Sequence, residues 1–589
     1  MAEEGYRSLA DQLRAWSDQQ LSRLLLARPD LATPAPQDSG QLASRAATRA
    51  SLMRALDQLS RVELSVLDAL VVAGQTTPQE LRSLVHADPA ATDAALAHLR
   101  DLALVWESPT GLRALSGVAD LLVGGLDAGV SGLRTRSAEP ASAEEVAQRL
   151  AEISPAARTL LEHVLEQGGE ATTGGSRHTV LPEDARTPPE ELLARRLLVP
   201  RGGGSVVLPG EVGLVLRGGR TTTEPVDLAP EVPTSSREAS LVDKVAAGAA
   251  FEAVRRVELL LDHWGTRPPG VLRSGGLGVR DLRATAVLLQ VDEAVAALLV
   301  ETAYAAGLLA TGTGPDGEPA WLPTDELDRW VTRSAAERWQ VLARAWLDSP
   351  RLPGLVGRKD PAGKTWNALV PELTGVHQVE TRRLVLDVVG DLPAGEVLAT
   401  GTGVPGVVGR VAWLRPRRPR TRADQVLWAV EEAAALGVTG LGGLASYSRA
   451  LVADDDAAPL LEPLLPAPVD HVLVQADLTA VAPGPLESSL ARRLQVLLLS
   501  VVLTALAVAV AGPVGLVALI GPEIARSLSS ARHVPILAAT LAGALVMVLA
   551  DLAGRTLFAP IEIPVGIVTA VVGGPWLLWI LMRPQRSRP

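Results

Sequence analysis

Three stretches without a charged residue dominate the end of this 589-residue chain: residues 494–522, 534–550 and 563–582. Their lengths are 29, 17 and 20 residues. A helix rises 1.5 Å per residue, so about 20 apolar residues match a hydrocarbon core of about 30 Å. The first run, at about 43 Å, exceeds one crossing, and Gly512-Pro513 supplies a break inside it. The expectation is therefore four crossings, at 495–511, 514–528, 534–553 and 563–582. Arg583, Arg586 and Arg588 follow the last run, with Trp576 and Trp579 near its end, and Arg526, Arg532 and His533 occupy an earlier loop. Positive charge stays on the cytoplasmic side, which places the C-terminus inside. Four crossings keep the N-terminal region inside as well, and Met1-Ala2-Glu3-Glu4 opens no export signal. A multi-pass plasma-membrane protein with a cytoplasmic N-terminal region is the expected localisation, with the lipid bilayer as its first partner.

The preceding residues read as soluble helix and hairpin. Leu64, Leu67 and Leu70 share a helical spacing that ends at Gly74; Thr77-Pro78-Gln79-Glu80 is a capping box with Pro at the first helical position; Asp88-Pro89 opens a third helix. Extended residues Leu104, Val105 and Trp106 then turn at Ser108-Pro109-Thr110-Gly111 and return through Leu112. Three helices and a hairpin outline a winged helix-turn-helix. The outline recurs twice, with helices expected at 157–166 and 188–197, then at 281–289 and 293–306, each pair followed by two extended segments. The fold class is thus mainly α with short β hairpins: tandem winged-helix-like modules followed by a C-terminal all-α transmembrane domain. The expected domains are 1–130, 143–220, 238–335, an α+β region over 336–493, and the membrane domain 494–589. Residues 131–142 and 221–237 read as linkers.

No catalytic constellation emerges. The chain has no cysteine, which excludes disulfides, thiolate metal sites and cysteine nucleophiles. Eight histidines are scattered without metal spacing, and neither Gly-x-Ser-x-Gly nor His-Glu-x-x-His occurs. Three glycine-rich stretches imitate phosphate loops: 357–365 has five residues between its glycines instead of four, 401–406 carries Pro405 where a helix should begin, and 312–317 is a hairpin turn. All three are expected to be loops. A non-enzymatic protein without metal or cofactor is the reading. The net charge is −11 and there are only 17 aromatic residues, which argues against bulk coating of nucleic acid or extensive stacking on single strands. One basic feature stands out: Arg415, Arg417, Arg418, Arg420 and Arg422 place five guanidinium groups in eight residues. Such a run can neutralise phosphates or be a solvated, proline-stiffened linker.

Two resemblances follow. Leu9-Ala10-Asp11-Gln12-Leu13, Leu25-Leu26-Ala27-Arg28-Pro29-Asp30-Leu31, Leu102-Ala103-Leu104-Val105-Trp106, Gly275-Gly276-Leu277-Gly278-Val279-Arg280-Asp281-Leu282, Ala435-Leu436-Gly437-Val438-Thr439-Gly440 and Val474-Gln475-Ala476-Asp477-Leu478-Thr479 resemble bacterial helicase-associated proteins. Those proteins carry a module like the N-terminal part of the XPB helicase without its motor; the resemblance implies DNA as a partner and ends near 493. The second begins there. Gly512, Pro513 and Gly515, then Pro522, Glu523 and Arg526, then Asp551 and Arg555, then Pro564 and Gly566 resemble the C-terminal end of FecCD-type permeases, the membrane subunits of iron–siderophore and cobalamin ABC importers. That resemblance implies permease subunits, an ABC ATPase and a siderophore-binding protein as partners. Asp551 and Arg555, four apart on one helix face, are expected to neutralise each other. The composite reads as a helicase-associated, DNA-binding-type region fused to a membrane-embedded permease fragment. Two alternatives stay open: a membrane component of the importer, and an accidental fusion with neither function complete.

Overall fold

The computed structural model describes residues 5–122, 130–137, 139–173, 179–202, 204–419, 421–467, 472–474, 480–481, 488–511, 517, 521–522, 524–525, 536–556 and 571. These are mainly helical, with short antiparallel sheets of two or three strands. The chain divides into two compact units, Met1–Leu465 and Pro466–Pro589.

In the first unit, helix starts follow capping chemistry. Ser8, Ser17, Asp38, Thr48 and Ser60 precede α1 (Leu9–Ala15), α2 (Asp18–Ala27), α3 (Ser39–Ala46), α4 (Arg49–Leu56) and α5 (Arg61–Ala73), and each side chain accepts the backbone N–H three residues on. α5 stops at Gly74, whose φ of 72° suits glycine. α6 (Pro78–Leu84) and α7 (Pro89–Asp101) begin with proline, and β1 (Val105–Ser108) pairs with β2 (Gly111–Ala114). The box at Thr77 is only half made. Thr77 accepts from the Glu80 N–H, but the Glu80 carboxylate is taken by the Thr76 hydroxyl and Arg136. Leu64, Leu67 and Leu70 of α5 are fully buried with Leu99, Leu102 and Leu112.

α8 (Val118–Leu122), α9 (Ala143–Ala151) and α10 (Pro155–Glu166) lead to a three-stranded sheet, with β3 (Glu170–Thr172), α11 (Pro188–Ala194), β4 (Val199–Gly202), β5 (Ser205–Val207) and α12 (Gly210–Leu216) following in sequence. The order is β3-β5-β4, so the hairpin gains a strand that the periodicity does not announce. The expected linkers are anchored at a few buried points. Val130, Ser131 and Leu133 are buried, and so are Thr221 and Val226, whose N–H groups donate to the carbonyls of Leu84 and His86. Polar backbone is tolerated there because its donors find these acceptors.

The largest core forms around α13 (Ala239–Thr266), a 28-residue helix, after β6 (Thr234–Ser236). Against it lie α14 (Val279–Leu289), α15 (Glu293–Ala305), the β7 (Leu309–Thr313)–β8 (Pro319–Pro323) hairpin, α16 (Glu326–Val331) and α17 (Ala335–Asp348), with Trp330, Trp339 and Trp346 almost wholly buried. α18 (Gln378–Gly390), β9 (Glu396–Leu398), α19 (Gly403–Leu414), α20 (Arg422–Ala435), the β10 (Thr439–Gly440)–β11 (Gly443–Leu444) pair, α21 (Ser446–Val452) and α22 (Ala458–Leu461) complete the unit. Here one expectation fails: residues 403–406 are not loop but the first turn of α19. Proline fits a first turn because its missing N–H has no intrahelical acceptor there. The turn is still no phosphate cradle, since a Cβ on Gly406 would stand 2.6 Å from Pro233 and 3.0 Å from the Val232 backbone. The chain's own 231–233 segment fills that space.

In the second unit, β12 (Leu473–Val474) pairs with β13 (Ala480–Val481). α23 (Ser488–Ala511) and α24 (Ile536–Thr556) are its long helices, with helical residues at 517, 521–522 and 524–525 between them.

Candidate functional site

The second unit displays its apolar side chains instead of hiding them. On α23, Val496, Leu498, Leu499, Val502 and Leu506 are more than half exposed, and on α24 so are Leu537, Leu541, Leu545, Val548 and Leu552. Such continuous apolar surface marks a membrane or protein contact on a chain in water. Leu537–Thr556 has the length and composition to cross a membrane, and Val496–Leu506 is a shorter apolar helix. α23 starts at Ser488, upstream of the expected crossing, and is described to Ala511.

Of the permease-like positions, Pro522, Asp551 and Arg555 are described. Gly512, Pro513, Gly515, Glu523, Arg526, Pro564 and Gly566 lie outside the described residues, as do most of the expected crossings at 514–528 and 563–582. Pro522 is half-buried and follows Gly521, which is buried against α24. A Cβ at Gly521 would stand 3.0 Å from the Ala539 carbonyl oxygen and 3.3 Å from the Gly543 Cα. Small residues let two backbones approach this closely, a means of joining helices where lipid supplies no hydrophobic drive. Asp551 and Arg555 form the expected i,i+4 ion pair, 3.0 Å apart.

The arginine cluster belongs to the first unit and turns inward. It joins α19 to α20. Arg415 Nε donates to Glu380 Oε1 at 2.7 Å, and Arg418 pairs with the other oxygen of the same carboxylate. Arg418 Nη1 also meets His377 Nε2 at 2.7 Å. Arg417 faces Asp57 at 3.6 Å. Arg422 is 6% exposed, and its Nη1 donates to the Arg415 carbonyl at 2.6 Å; Arg420 lies outside the described residues. Burial works to raise the Glu380 carboxyl, but the Arg415 hydrogen bond and both arginine charges hold it below the usual range. This is a folded cross-tie and not a solvated linker.

Local sequence hides three further polar clusters. Arg382, 1% exposed, donates to the carbonyls of Trp346, Ser349 and Arg351 and, through Nε and Nη2, to Glu432, which also accepts from Trp346 Nε1 at 2.7 Å. Arg351 clamps buried Glu301 with two nitrogens, and Glu301 accepts the Leu369 N–H at 2.6 Å. Asp68, buried on α5, accepts the Ser131 N–H at 3.0 Å, and burial lifts its carboxyl to about 6. Partners some 30 to 90 residues apart leave no periodic signal. Each cluster reads as packing, since a buried charge persists where a partner answers it, although Glu432 Oε1 meets no donor among the described residues. Among the described residues, no group of three or more metal-ligating side chains converges.

Comparison with known proteins bears on one part of the chain. Residues 489–583 match the FecCD transport family. The Fe(3+) dicitrate transport system permease protein FecD of Escherichia coli is 42% identical over 92 residues, 15% of this chain and 29% of that protein. The ferric enterobactin transport system permease protein FepG of Escherichia coli is 41% identical over 119 residues, covering 20% of this chain and 35% of that one. The hemin transport system permease protein HmuU of Yersinia pestis is 42% identical over 97 residues, 16% and 29% of the two chains. The chain thus spans about three-tenths of the length of the curated relatives it matches. No solved structure matches it. With an apolar spanning-length helix inside the matched region, these findings suggest membrane association. Residues 489–583 are a segment related to FecCD permeases, and the match leaves the Met1–Leu465 unit without a family assignment.

Proposed function

We propose that residues 489–583 lie in the plasma membrane as a FecCD-type permease fragment with four crossings, and tether a non-enzymatic cytoplasmic unit beside an iron–siderophore or haem ABC importer. The partners would be complete permease subunits, their ATPase and the siderophore-binding protein. The observation that carries this reading is identity of 41–46% over stretches of 92–119 residues. The chain is not the transporter: four crossings cannot enclose the path of a complete FecCD-type subunit, and the Asp551–Arg555 pair is internally neutralised. Because the chain lacks cysteine, single introduced thiols report topology cleanly. Gly512→Cys should react with a membrane-impermeant maleimide in intact cells, and Arg588→Cys only after permeabilisation. The reverse pattern, or equal labelling of both, would refute the topology.

One observation favours a second role for the first unit. α5–α7 followed by β1–β2, and α14–α15 followed by β7–β8, keep the helix-then-hairpin order of winged-helix modules. Together with the helicase-associated resemblance, this supports weak, salt-sensitive DNA association. Gel-shift titration of the full chain with duplex and single strands tests it, and no binding at low salt would remove it.

A further inference from the structure

Residues 221–227, between α12 and β6, run across the turn that joins α6 to α7 and take up its polar groups one after another. The Thr221 N–H donates to the Leu84 carbonyl at 2.8 Å, and the Val226 N–H to the His86 carbonyl at 2.9 Å. His86 Nδ1 stands 2.8 Å from the Thr223 carbonyl oxygen; a carbonyl only accepts, so this nitrogen carries the proton. Asp227 Oδ2 accepts the Asp88 N–H at 2.8 Å. Val226 is buried in the same core as Leu81, Leu84 and Val85, whereas Thr223, Glu224 and Pro225, between the anchors, are exposed.

Leu84 closes α6, and Asp88 is the N-cap of the 13-residue α7. In the module made of α5–α7 and β1–β2, α7 holds the place of a recognition helix, which enters a major groove with its first residues leading. Helix N-termini and backbone N–H groups are also what such modules offer to DNA phosphates. The head of α7 already carries an anion of the chain's own, since the Asp227 carboxylate sits on the Asp88 N–H at the positive end of the helix dipole. The module's cations are held more loosely. Arg82 of α6 pairs with Asp93 through two bonds of 2.8 Å, but these side chains are 43% and 45% exposed. Arg113 on β2 is exposed, with Gln75 as its partner. Exposed ion pairs contribute little, so a phosphate can displace Asp93 at small cost. The module of α14–α15 and β7–β8 differs: its α15 is buried at every position from 296 to 303 and has no free face to present.

We propose that residues 221–227 are an autoinhibitory strap: Asp227 stands where a DNA phosphate would meet the head of α7, and this module engages a duplex only when the strap leaves. The strap's role rests on the DNA association proposed above, and it accounts for that association being weak. Apparent affinity falls with the fraction of molecules in which the strap is open.

The test uses the full chain in detergent, titrated at low salt with a fluorescently labelled duplex and followed by anisotropy. Asp227→Ala, which frees the Asp88 N–H, should bind about fivefold tighter than wild type or better. His86→Ala, which loses the Thr223 bond, should also gain. Asp262→Ala removes an exposed acid from α13 and controls for net charge; it should match wild type. Hydrogen exchange of the Val226 amide reports the strap itself and should quicken in both strap variants. Faster exchange with unchanged or weaker binding overturns the strap and leaves the DNA reading standing. Unchanged exchange in both variants also overturns it, because a strap that neither change loosens is not poised to leave. An equal gain in Asp262→Ala reduces the effect to net charge and overturns the proposal. No binding by any of the four proteins removes the DNA reading, and the strap's role with it.

Discussion

Replacing Arg382 with Met should be among the most damaging single changes in the first unit. Its five N–H bonds run to three backbone carbonyls, at 2.6, 2.7 and 3.0 Å, and twice to Glu432 Oε2, at 3.1 and 2.9 Å. Its guanidinium carbon lies 5.0 Å from the Trp346 ring centroid. Methionine fills much of the volume but leaves Glu432 without its cation and removes a donor from three carbonyls, of which that of Trp346 keeps the Ser349 N–H. Breaking a buried pair from one side costs about 3–5 kcal/mol, a large share of the 5–15 kcal/mol typical of a domain. Part of the loss is recovered if Glu432 takes up a proton, as burial already raises its pKa. Arg382→Met with Glu432→Gln should therefore cost less than the sum of the single changes, by more than about 1 kcal/mol, because neither charge is then stranded. Urea denaturation followed by fluorescence of the buried tryptophans gives all four stabilities. A cost below about 1 kcal/mol for Arg382→Met, or additivity within about 0.5 kcal/mol, would refute the claim that this pair is coupled.

Asp68→Asn should stabilise the protein above about pH 6. The folded carboxyl titrates near 6 against 3.8 for the free side chain, so the protonated form is favoured by folding and the advantage is lost as pH rises through 6. At 1.36 kcal/mol per unit the gain reaches about 3 kcal/mol at neutral pH and vanishes below about pH 4; a Tm difference independent of pH would contradict it. Val517→Cys with Gly543→Cys should close an intrachain disulfide under mild oxidation, since Val517 Cγ1 lies 3.6 Å from where a Gly543 Cβ would stand; gel mobility without cross-linking would refute that helix contact. Replacing Arg415, Arg417, Arg418, Arg420 and Arg422 with Gln tests them as DNA contacts. An unchanged log–log salt slope, against a drop of about 0.9 per lost phosphate contact, removes the cluster from that role.

The features readable in advance are those whose cause is local. Ser60 and Asp88 caps, proline starts and the stop at Gly74 act within one turn, so α5–α7 and their hairpin fall where the residues put them. The charge-free runs are likewise legible because length and composition alone set them. The first half of α13 escapes because its inner face is alanine at 246, 247, 250 and 253, which gives periodicity little contrast, whereas Val254, Val257, Leu261 and Trp264 of the second half stand at helical spacing. The segments at 131–137 and 221–226 look like linkers by composition, and only distant acceptors explain their order: the Asp68 carboxylate and the Val72 carbonyl for the first, the Leu84 and His86 carbonyls for the second. In the arginine cluster, the density of charge is plain in the sequence. Its partners, Glu380 some 35 residues earlier and Asp57 at the end of α4, are brought there by tertiary folding.

Membrane fractionation with a carbonate wash measures directly whether the FecCD-related segment holds the chain in the bilayer. The full chain should remain in the membrane pellet at high pH, while the chain ending at Leu465 should partition into the soluble fraction and keep its helical circular dichroism. Release of the full chain by carbonate would contradict the membrane assignment of residues 489–583.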